Sequence, residues 1–365
     1  MRHINKSHIF TMNCLIKLLS LLMLCFSSMT QAADYPAPQP TSPPQRLQIL
    51  SSTDEGVMKS LIADFQRQQP SMAVEYIDRN TVPLFERFLN NYEQKTTADL
   101  IISSAMDLQI KLVNDGYAAT HSTESLQWLP EWAQWRQQAF GFTSEPVVMV
   151  YNKELLIGKD IPQNRFELIE LLRDQTERFK GRIGTYDIQR SGAGYLFASQ
   201  DAQQASTWGR LTENLNSVKV KLYESTGQML NALSSGELIL GYNVLGSYAL
   251  TAVRDSDKLG MIFSSDYTLA MSRVAFVSNR ARNEKAGHLF LDYLLSERGQ
   301  RLLATETKLY PIHPQVTGEA TLTGLQKATL DRGPLKLIKL GPALLTYQDR
   351  MKKENFLGEW RKVIR

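Results

Sequence analysis

The sequence predicts an α/β protein of two lobes, in which each lobe is a mainly parallel sheet with flanking helices and two strands cross between the lobes. Two observations support this prediction. Short apolar runs alternate along the chain with segments of helical periodicity, as in sheets whose parallel strands are joined by crossover helices. The 365 residues also exceed the size at which one hydrophobic core usually divides into two.

The first 33 residues have the pattern of a secretory signal peptide. Basic residues up to Lys17 precede the apolar run 18–26, and small and polar residues follow as far as Ala32 and Ala33. This order is typical of a cleavable export signal, with cleavage after Ala32 or Ala33. The apolar run is about half of the ~20 residues that a membrane-spanning helix needs, so we expect no retained anchor.

Removal of this signal changes the composition of the chain in two ways. Both cysteines, Cys14 and Cys25, are lost, so we expect neither disulfides nor thiol chemistry in the exported protein. Three of the 41 basic residues and none of the 37 acidic residues are lost, which leaves a net charge of +1. A nearly neutral protein argues against nucleic acid or an anionic membrane surface as the main partner.

The rest of the chain divides into a linker, two lobes and an extension. The linker holds five prolines in thirteen positions, which predicts a stiff extended segment without information about the fold. An apolar strand at 146–152 indicates the crossing into the second lobe, and 269–278 indicates the return strand. We expect the extension to pack along the first lobe, with docking to a membrane partner as the alternative. The predicted boundaries are 34–46 for the linker, 47–147 with 272–320 for the first lobe, 148–271 for the second lobe and 321–365 for a C-terminal helical extension.

Hydroxyl side chains follow two predicted strands of the first lobe, at the point where each strand ends. Ser52 and Thr53 follow one strand, and Ser103 and Ser104 follow another. In open α/β sheets the crevice beyond the carboxyl ends of the strands is the usual ligand site, and helix N-termini favour anions. Plain N-capping is the alternative, because Ser and Thr are preferred caps. The recurrence of the pattern after successive strands favours a shared ligand site.

The second lobe repeats this arrangement of strand, small polar residues and helix. Ser191 and the amides of Gly192, Ala193 and Gly194 could hold an anion at a helix start, although a plain tight turn has the same sequence. Further candidate ligand-binding residues at strand ends are Thr226, Gly227 and Asn243.

A phosphate group can be held by such neutral donors in a closed, dry cleft, so we expect neither a metal nor another cofactor. Arg190 and Arg273 could add positive charge; alternatively, either arginine could be an exposed residue or a member of a structural ion pair. The expected partner is therefore a small anionic solute.

Other patterns in the sequence favour structural roles. Trp128, Trp132 and Trp135 at i, i+4 and i+7 predict one helix face directed to the core, with a sugar-stacking platform as the alternative. The sequence contains no His-Glu-x-x-His, P-loop or Gly-x-Ser-x-Gly motif. We therefore expect a binding protein that is not an enzyme; a periplasmic hydrolase with a triad from distant residues is the alternative of another class.

The order of elements over residues 47–315 resembles the type II periplasmic solute-binding proteins, in the group that contains ferric-ion binders. The resemblance depends on the strand-end serines, the two crossing strands, the Gly-Tyr-Asn segment at 241–243, and the segments 297–300 and 310–314. Residues 103–109, followed by Asn-Asp-Gly-Tyr, look closest to the branch that includes the phosphoglycerate transport regulatory protein.

This resemblance implies a type II periplasmic-binding-protein-like fold, a location in the periplasm and a ligand held between the lobes. Ferric-binding members use adjacent tyrosines where this chain has Ser247 and Tyr248. Without the second phenolate a trivalent cation loses a strong donor. The resemblance thus implies an organophosphate or carboxylate, with Ser247 as a hydrogen-bond donor, and ferric-ion binding for iron uptake is the alternative. We expect a monomer whose protein partner is an inner-membrane ABC permease or the periplasmic domain of a sensor histidine kinase.

Overall fold

A computed structural model describes residues 32–94, 96–204 and 206–364. The predicted signal peptide lies outside these residues except for Ala32 and Ala33. No helix in the described part of the chain is long and apolar enough to span a membrane.

Fourteen strands of the described residues form two seven-stranded sheets, one in each lobe, so the predicted α/β class with two sheets is confirmed. The strands are β1 (Ala32–Tyr35), β2 (Gln45–Ser51), β3 (Met72–Asp78), β4 (Leu100–Ser103), β5 (Gln134–Trp135), β6 (Ala139–Gly141), β7 (Glu145–Asn152), β8 (Ile183–Tyr186), β9 (Lys221–Tyr223), β10 (Leu240–Leu245), β11 (Leu259–Ile262), β12 (Thr268–Met271), β13 (Val274–Val277) and β14 (Leu335–Leu337).

The strand order is β1-β3-β2-β4-β13-β6-β5 in the first lobe and β14-β12-β7-β10-β8-β9 in the second, where β11 also pairs with β7. In the first sheet β2 runs parallel to β3 and β4, whereas β13 runs antiparallel to β4 and β6. In the second sheet β8 runs parallel to β9 and β10. The parallel strands therefore end at one edge of each sheet, and their connections to the following helices lie there.

Thirteen α-helices of the described residues flank the sheets. They are α1 (Glu55–Gln68), α2 (Thr81–Glu93), α3 (Met106–Asn114), α4 (Arg165–Asp174), α5 (Thr176–Phe179), α6 (Gly192–Gln204), α7 (Trp208–Ser217), α8 (Thr226–Ser234), α9 (Gly246–Asp255), α10 (Glu284–Leu295), α11 (Glu297–Leu302), α12 (Leu322–Thr329) and α13 (Arg350–Val363). Short helical turns lie at Glu124–Gln127, Glu131–Ala133, Gly158–Asp160, Leu303–Thr307 and Pro342–Leu345.

The first helix illustrates how the apolar period sets the packing. Met58, Leu61, Ile62 and Phe65 recur at helical spacing and are at most 1 % exposed. They pack on the first sheet together with its own apolar strand residues, in a core separate from that of the second lobe. Each lobe thus closes its own hydrophobic core, as the length of the chain predicts.

The chain crosses between the sheets three times: at two short connections, and again between β13 of the first sheet and β14 of the second. Residues 142–144 join β6 to β7, and Ser272 with Arg273 joins β12 to β13. The return strand predicted at 269–278 is therefore two strands in different sheets. The two short connections are bonded to each other, since Ser272 Oγ donates to the Thr143 carbonyl (2.6 Å) and the Arg273 amide donates to Thr143 Oγ1 (2.8 Å).

The prediction that the C-terminal extension packs along the first lobe is wrong. β14 pairs in parallel with β12 of the second sheet. Phe356 and Trp360 of α13 are buried in the core of the second lobe, where they lie beside Trp208 of α7. The segment between β14 and α13 contacts the first lobe, because the Leu340 amide donates to the Trp132 carbonyl (2.9 Å).

Two further expectations from the sequence need correction. The proline-rich linker begins with β1, an edge strand, where nearby prolines are tolerated. Gln66 Nε2 holds this segment by donating to the Tyr35 and Pro36 carbonyls (both 3.1 Å).

The three tryptophans do not share a helix, because Pro130 interrupts the segment and confines it to short turns. Trp128 and Trp132 nevertheless pack against the first core.

Candidate functional site

A cleft of about 560 Å³ lies between the two lobes. Its lining residues are Ser52, Asp54, Asn80, Thr81, Ser104 and Arg273 from the first lobe and the crossing, and Tyr186, Ser191, Ala193, Glu224, Ser225, Thr226, Gly227, Leu245 and Tyr248 from the second lobe.

The cleft is built from the starts of helices. Every lining residue except Tyr186 and Arg273 lies in the first turn of a helix or in the three residues before it. The helices are α1, α2 and α3 of the first lobe and α6, α8 and α9 of the second. First-turn amides have no acceptor within their own helix, and a helix N-terminus carries about half a positive charge. Six such ends around one cleft make a favourable environment for an anion.

Six of the residues predicted from the sequence line this cleft. They are Ser52, Ser104, Ser191, Ala193, Thr226 and Gly227. Ser52 Oγ accepts from the Ser104 amide (3.0 Å), Ser191 Oγ accepts from the Gly194 amide (3.1 Å), and Thr226 Oγ1 lies 2.5 Å from the Tyr186 hydroxyl. The structure thus brings predicted residues from both lobes to one opening.

Two other predicted first-lobe residues lie behind the lining. Thr53 is fully buried, and its Oγ1 accepts from Arg273 Nη1 (2.7 Å). Ser103 is also buried, and its Oγ accepts from the Ala105 amide (3.2 Å). Both hydroxyls support the cleft wall, and direct contact of either with a ligand stays a prediction.

Four predicted residues of the second lobe also lie outside the lining. The Gly192 amide donates across the lobes to Thr81 Oγ1 (2.7 Å), and a side chain at Gly194 would clash with Tyr186, whose Cβ lies 2.3 Å from the position of an added Cβ. Asn243 Nδ2 donates to the Asp201 carboxylate (2.8 Å), and Ser247 Oγ donates to the Glu145 carboxylate. Their role as ligand contacts stays a prediction as well.

A buried ion pair forms the floor of the cleft. Arg273 Nε donates to Glu145 Oε1 (2.8 Å) and Nη2 donates to Oε2 (3.2 Å), and both side chains are at most 1 % exposed. Burial alone would lower the pKa of Arg273, but the Glu145 carboxylate raises it well above its usual range. The arginine therefore stays charged, and most of its charge is balanced by Glu145 rather than available to a ligand.

The rim of the cleft carries carboxyl groups. Glu224 pairs with the exposed Arg190 (2.6 Å), so Arg190 belongs to an ion pair at the rim. Loss of hydration raises the pKa of the Asp54 carboxyl, and Arg273 opposes that shift. These oxygens are acceptors for hydroxyl or ammonium groups on a ligand whose anionic group lies among the helix starts.

Tyr248 follows Ser247 on α9 and lines the cleft. Burial raises its pKa to about 12, and Arg273 opposes that shift. The phenol is therefore protonated at neutral pH and can donate a hydrogen bond. Among the described residues no three His, Cys, Asp or Glu side chains are grouped so that they could hold a metal ion.

The sequence analysis missed several lining residues. Asn80 and Thr81 follow β3 as Ser52 follows β2, so the same strand-end signal could have found them. Ser225 is the N-cap of α8 and directly precedes the predicted Thr226. Tyr186 ends an apolar strand, and no sequence signal distinguishes its inward direction.

Residues 47–306 match the family model described as bacterial extracellular solute-binding protein. The chain belongs to this family. The predicted resemblance to type II periplasmic solute-binding proteins is confirmed at that level, whereas the narrower phosphoglycerate branch stays a prediction. No curated protein matches the sequence.

Solved structures of other solute-binding proteins share the fold. The substrate-binding protein of the ABC transporter from Agrobacterium tumefaciens is 34 % identical, with a TM-score of 0.87 over 92 % of this chain and 98 % of that one. AfuA from Actinobacillus pleuropneumoniae with bound fructose-6-phosphate is 18 % identical (TM-score 0.72, 88 % and 98 % covered). Iron-bound HitA from Pseudomonas aeruginosa is 19 % identical (TM-score 0.69, 88 % and 99 % covered).

Proposed function

We propose that this solute-binding protein captures a small organic anion, an organophosphate or a carboxylate, between its lobes in the periplasm and delivers it to an ABC permease without chemical change. The observation that carries the proposal is the convergence of six helix N-termini on one interlobe cleft. Partial positive charge at these ends suits an anionic group, and the hydroxyls that cap them can donate their own protons to it. The match to the substrate-binding protein of an ABC transporter supports delivery to a permease over signalling to a sensor kinase.

The chemistry of the lining favours an organic anion over ferric ion. Ser247 stands beside Tyr248, so these two positions supply one phenol rather than two, and a trivalent cation lacks the second strong oxygen donor. The hydroxyls of Ser52, Ser104, Ser191 and Thr226 can donate to phosphate or carboxylate oxygens. We infer that phosphorylated three-carbon acids and sugar phosphates are the first ligands to test.

The ligand acts by shifting the population of closed molecules. Because donors from both lobes line the cleft, an anion that contacts both binds the closed form better than the open form. A permease that recognises the closed form then receives loaded protein.

Thermal unfolding in the presence of candidate ligands tests the proposal. We expect 3-phosphoglycerate or a sugar phosphate to raise the Tm of the purified protein, because a ligand that binds the native state stabilises it by mass action. Ferric citrate is expected to leave the Tm unchanged. A Tm increase with ferric citrate alone, together with a visible phenolate-to-iron absorption band, would contradict the proposal.

Two serine variants separate ligand contact from helix capping. Ser191 and Ser296 each accept from a glycine amide three residues later at 3.1 Å, but only Ser191 lines the cleft. Both Ser191→Ala and Ser296→Ala should lose about 1 kcal/mol of stability from the lost cap. Only Ser191→Ala should also reduce the ligand-induced increase in Tm. If the ligand raises the Tm of both variants equally, Ser191 does not contact the ligand.

A further inference from the structure

A second cavity of about 670 Å³ adjoins the ligand cleft on the side of α8 and α9. We call it the side groove. Its lining residues are Gly227, Leu230, Asn231 and Ser234 of α8, Ser247, Tyr248, Thr251, Ala252 and Asp255 of α9, and Val57, Thr307 and Leu309 of the first lobe.

The side groove continues the cleft. Gly227 and Tyr248 line both cavities, so the Tyr248 ring stands where one passes into the other. Both cavities also have walls from both lobes. The Tyr248 hydroxyl accepts from the Asp54 amide across the lobes (3.4 Å), so a molecule that occupies both cavities extends past Tyr248 once this bond opens.

The walls of the side groove differ in chemistry from those of the cleft. Val57, Leu230, Ala252 and Leu309 supply a continuous apolar part of the walls that the cleft lacks, and the other side chains of the lining are polar, with Asp255 the charged one at the far end. Along α9 the groove extends from Tyr248 to Asp255, which is about 10 Å at the rise of an α-helix. The partial charge of α8 and α9 falls from positive at the cleft to negative at the far end. A second anionic group is thus disfavoured in the groove, whereas an apolar, uncharged body fits it.

We propose that the side groove binds the apolar organic body of the solute, so that the solute is a phosphomonoester with an extended apolar chain rather than inorganic phosphate. This inference rests on the proposed function, because it needs the anionic group in the cleft. Among organophosphates it favours amphipathic phosphate esters over the polar sugar phosphates and phosphorylated acids, with the phosphate at the helix starts and the chain between α8, α9 and the first-lobe residues Val57 and Leu309.

Calorimetric titration with a series from methyl phosphate to hexyl phosphate, with inorganic phosphate as reference, tests the inference. Each methylene buried in the groove is expected to raise affinity about fourfold, until the groove is filled. If methyl phosphate binds measurably but affinity does not increase with chain length, the side groove does not bind the chain. The proposed function would be unaffected by that result. Absence of binding for every member and for inorganic phosphate would overturn the inference and the organophosphate form of the proposed function; if di- and tricarboxylates also failed to bind, the whole proposed function would be overturned.

Variants of the groove residues test whether the increase in affinity with chain length arises in the side groove. Ala252→Phe fills the groove from α9 and should flatten the dependence on chain length while changing the affinity for methyl phosphate less than twofold. Ala328→Phe places the same ring on the exposed face of α12 and should retain the full dependence. If Ala252→Phe does not fold, Val57→Phe is the alternative variant. It fills the groove from the first lobe and should flatten the dependence on chain length in the same way. An unchanged chain-length dependence in a folded groove variant would overturn the inference.

Discussion

Asp107 is a buried carboxyl group near the start of α3, where the first lobe meets the C-terminal segment. Gln348 Nε2 donates to Asp107 Oδ2 (2.5 Å), whereas Oδ1 has no hydrogen-bond partner among the described residues. Burial raises the pKa of Asp107 to about 6, and the bond from Gln348 opposes the shift. The carboxylate is therefore a source of instability at neutral pH.

We expect Asp107→Asn to stabilise the protein at pH 7.5 and to stabilise it much less at pH 4. The folded state holds this proton up to about pH 6 and the unfolded state only up to about pH 4, so wild-type stability falls as the pH rises through that window. A difference of two pKa units corresponds to about 3 kcal/mol. Urea unfolding at the two pH values measures the effect. An equal gain for Asp107→Asn at both pH values would contradict the assignment.

Asn243 shows where prediction from single residues stops. The strand pattern predicts its position at the end of an apolar run, and that position is close to the cleft. Asn243 has a φ of +60°, a left-handed conformation that asparagine tolerates. Its side chain donates to the buried Asp201 carboxylate of the second lobe. Residue type and position were thus available from the sequence, but the direction of the side chain was not, because a distant carboxylate determines it.

At the scale of elements, the crossing segments determine how the lobes are joined. Glu145 opens β7 on one crossing and Arg273 lies on the other, and their ion pair ties the two together beneath the cleft. Thr53 from the first lobe and Ser247 from the second complete the network. The hinge is thus held by charges that have no access to water.

We expect Arg273→Met to cost about 3–5 kcal/mol of unfolding free energy, because it leaves Glu145 buried without its partner. The double variant Glu145→Gln/Arg273→Met should recover much of this loss, since no charge remains. Urea unfolding provides the comparison. Arg301→Met, which removes an exposed pair with Glu297, is the control and should cost at most about 1 kcal/mol. A loss in Arg273→Met no larger than that of the control would show that the buried pair is unimportant.

Strands were predictable where a short apolar run is present, and helices were predictable where apolar residues recur at helical spacing. The runs beginning near Leu47 and Met72 become β2 and β3 almost as predicted. The return strand was predicted as one element, because the apolar residues on both sides of Ser272 and Arg273 share one pattern. Only pairing with two different sheets divides them, and a local pattern does not contain that information.

At the scale of the whole molecule, the lobes contact each other directly across the cleft. The Gly192 amide of α6 donates to Thr81 Oγ1 of α2 (2.7 Å), and a side chain at Gly192 would press on Ala105 and Leu108. Glycine is therefore needed there for close approach of the lobes. This single hydrogen bond therefore stabilises the closed state relative to the open state, in which the two residues would be apart.

We expect Thr81→Val to shift the protein toward the open state. The substitution keeps the shape of the side chain and removes the acceptor, which leaves the buried Gly192 amide without a partner and costs the closed state about 1–3 kcal/mol. Small-angle X-ray scattering should show a larger radius of gyration than in wild type. Thr305→Val, which removes an exposed hydroxyl bonded within its own helical turn, should leave the radius unchanged. Equal radii for wild type and Thr81→Val would contradict the role of this bond.

The two ends of the folded chain are held by different lobes. β1 belongs to the edge of the first sheet, and α13 is packed into the second lobe beside Trp208. Fluorescent dyes attached near Asp34 and near Lys362 would therefore travel with opposite halves of the protein, and energy transfer between them would report each capture event optically without disturbing the binding surface.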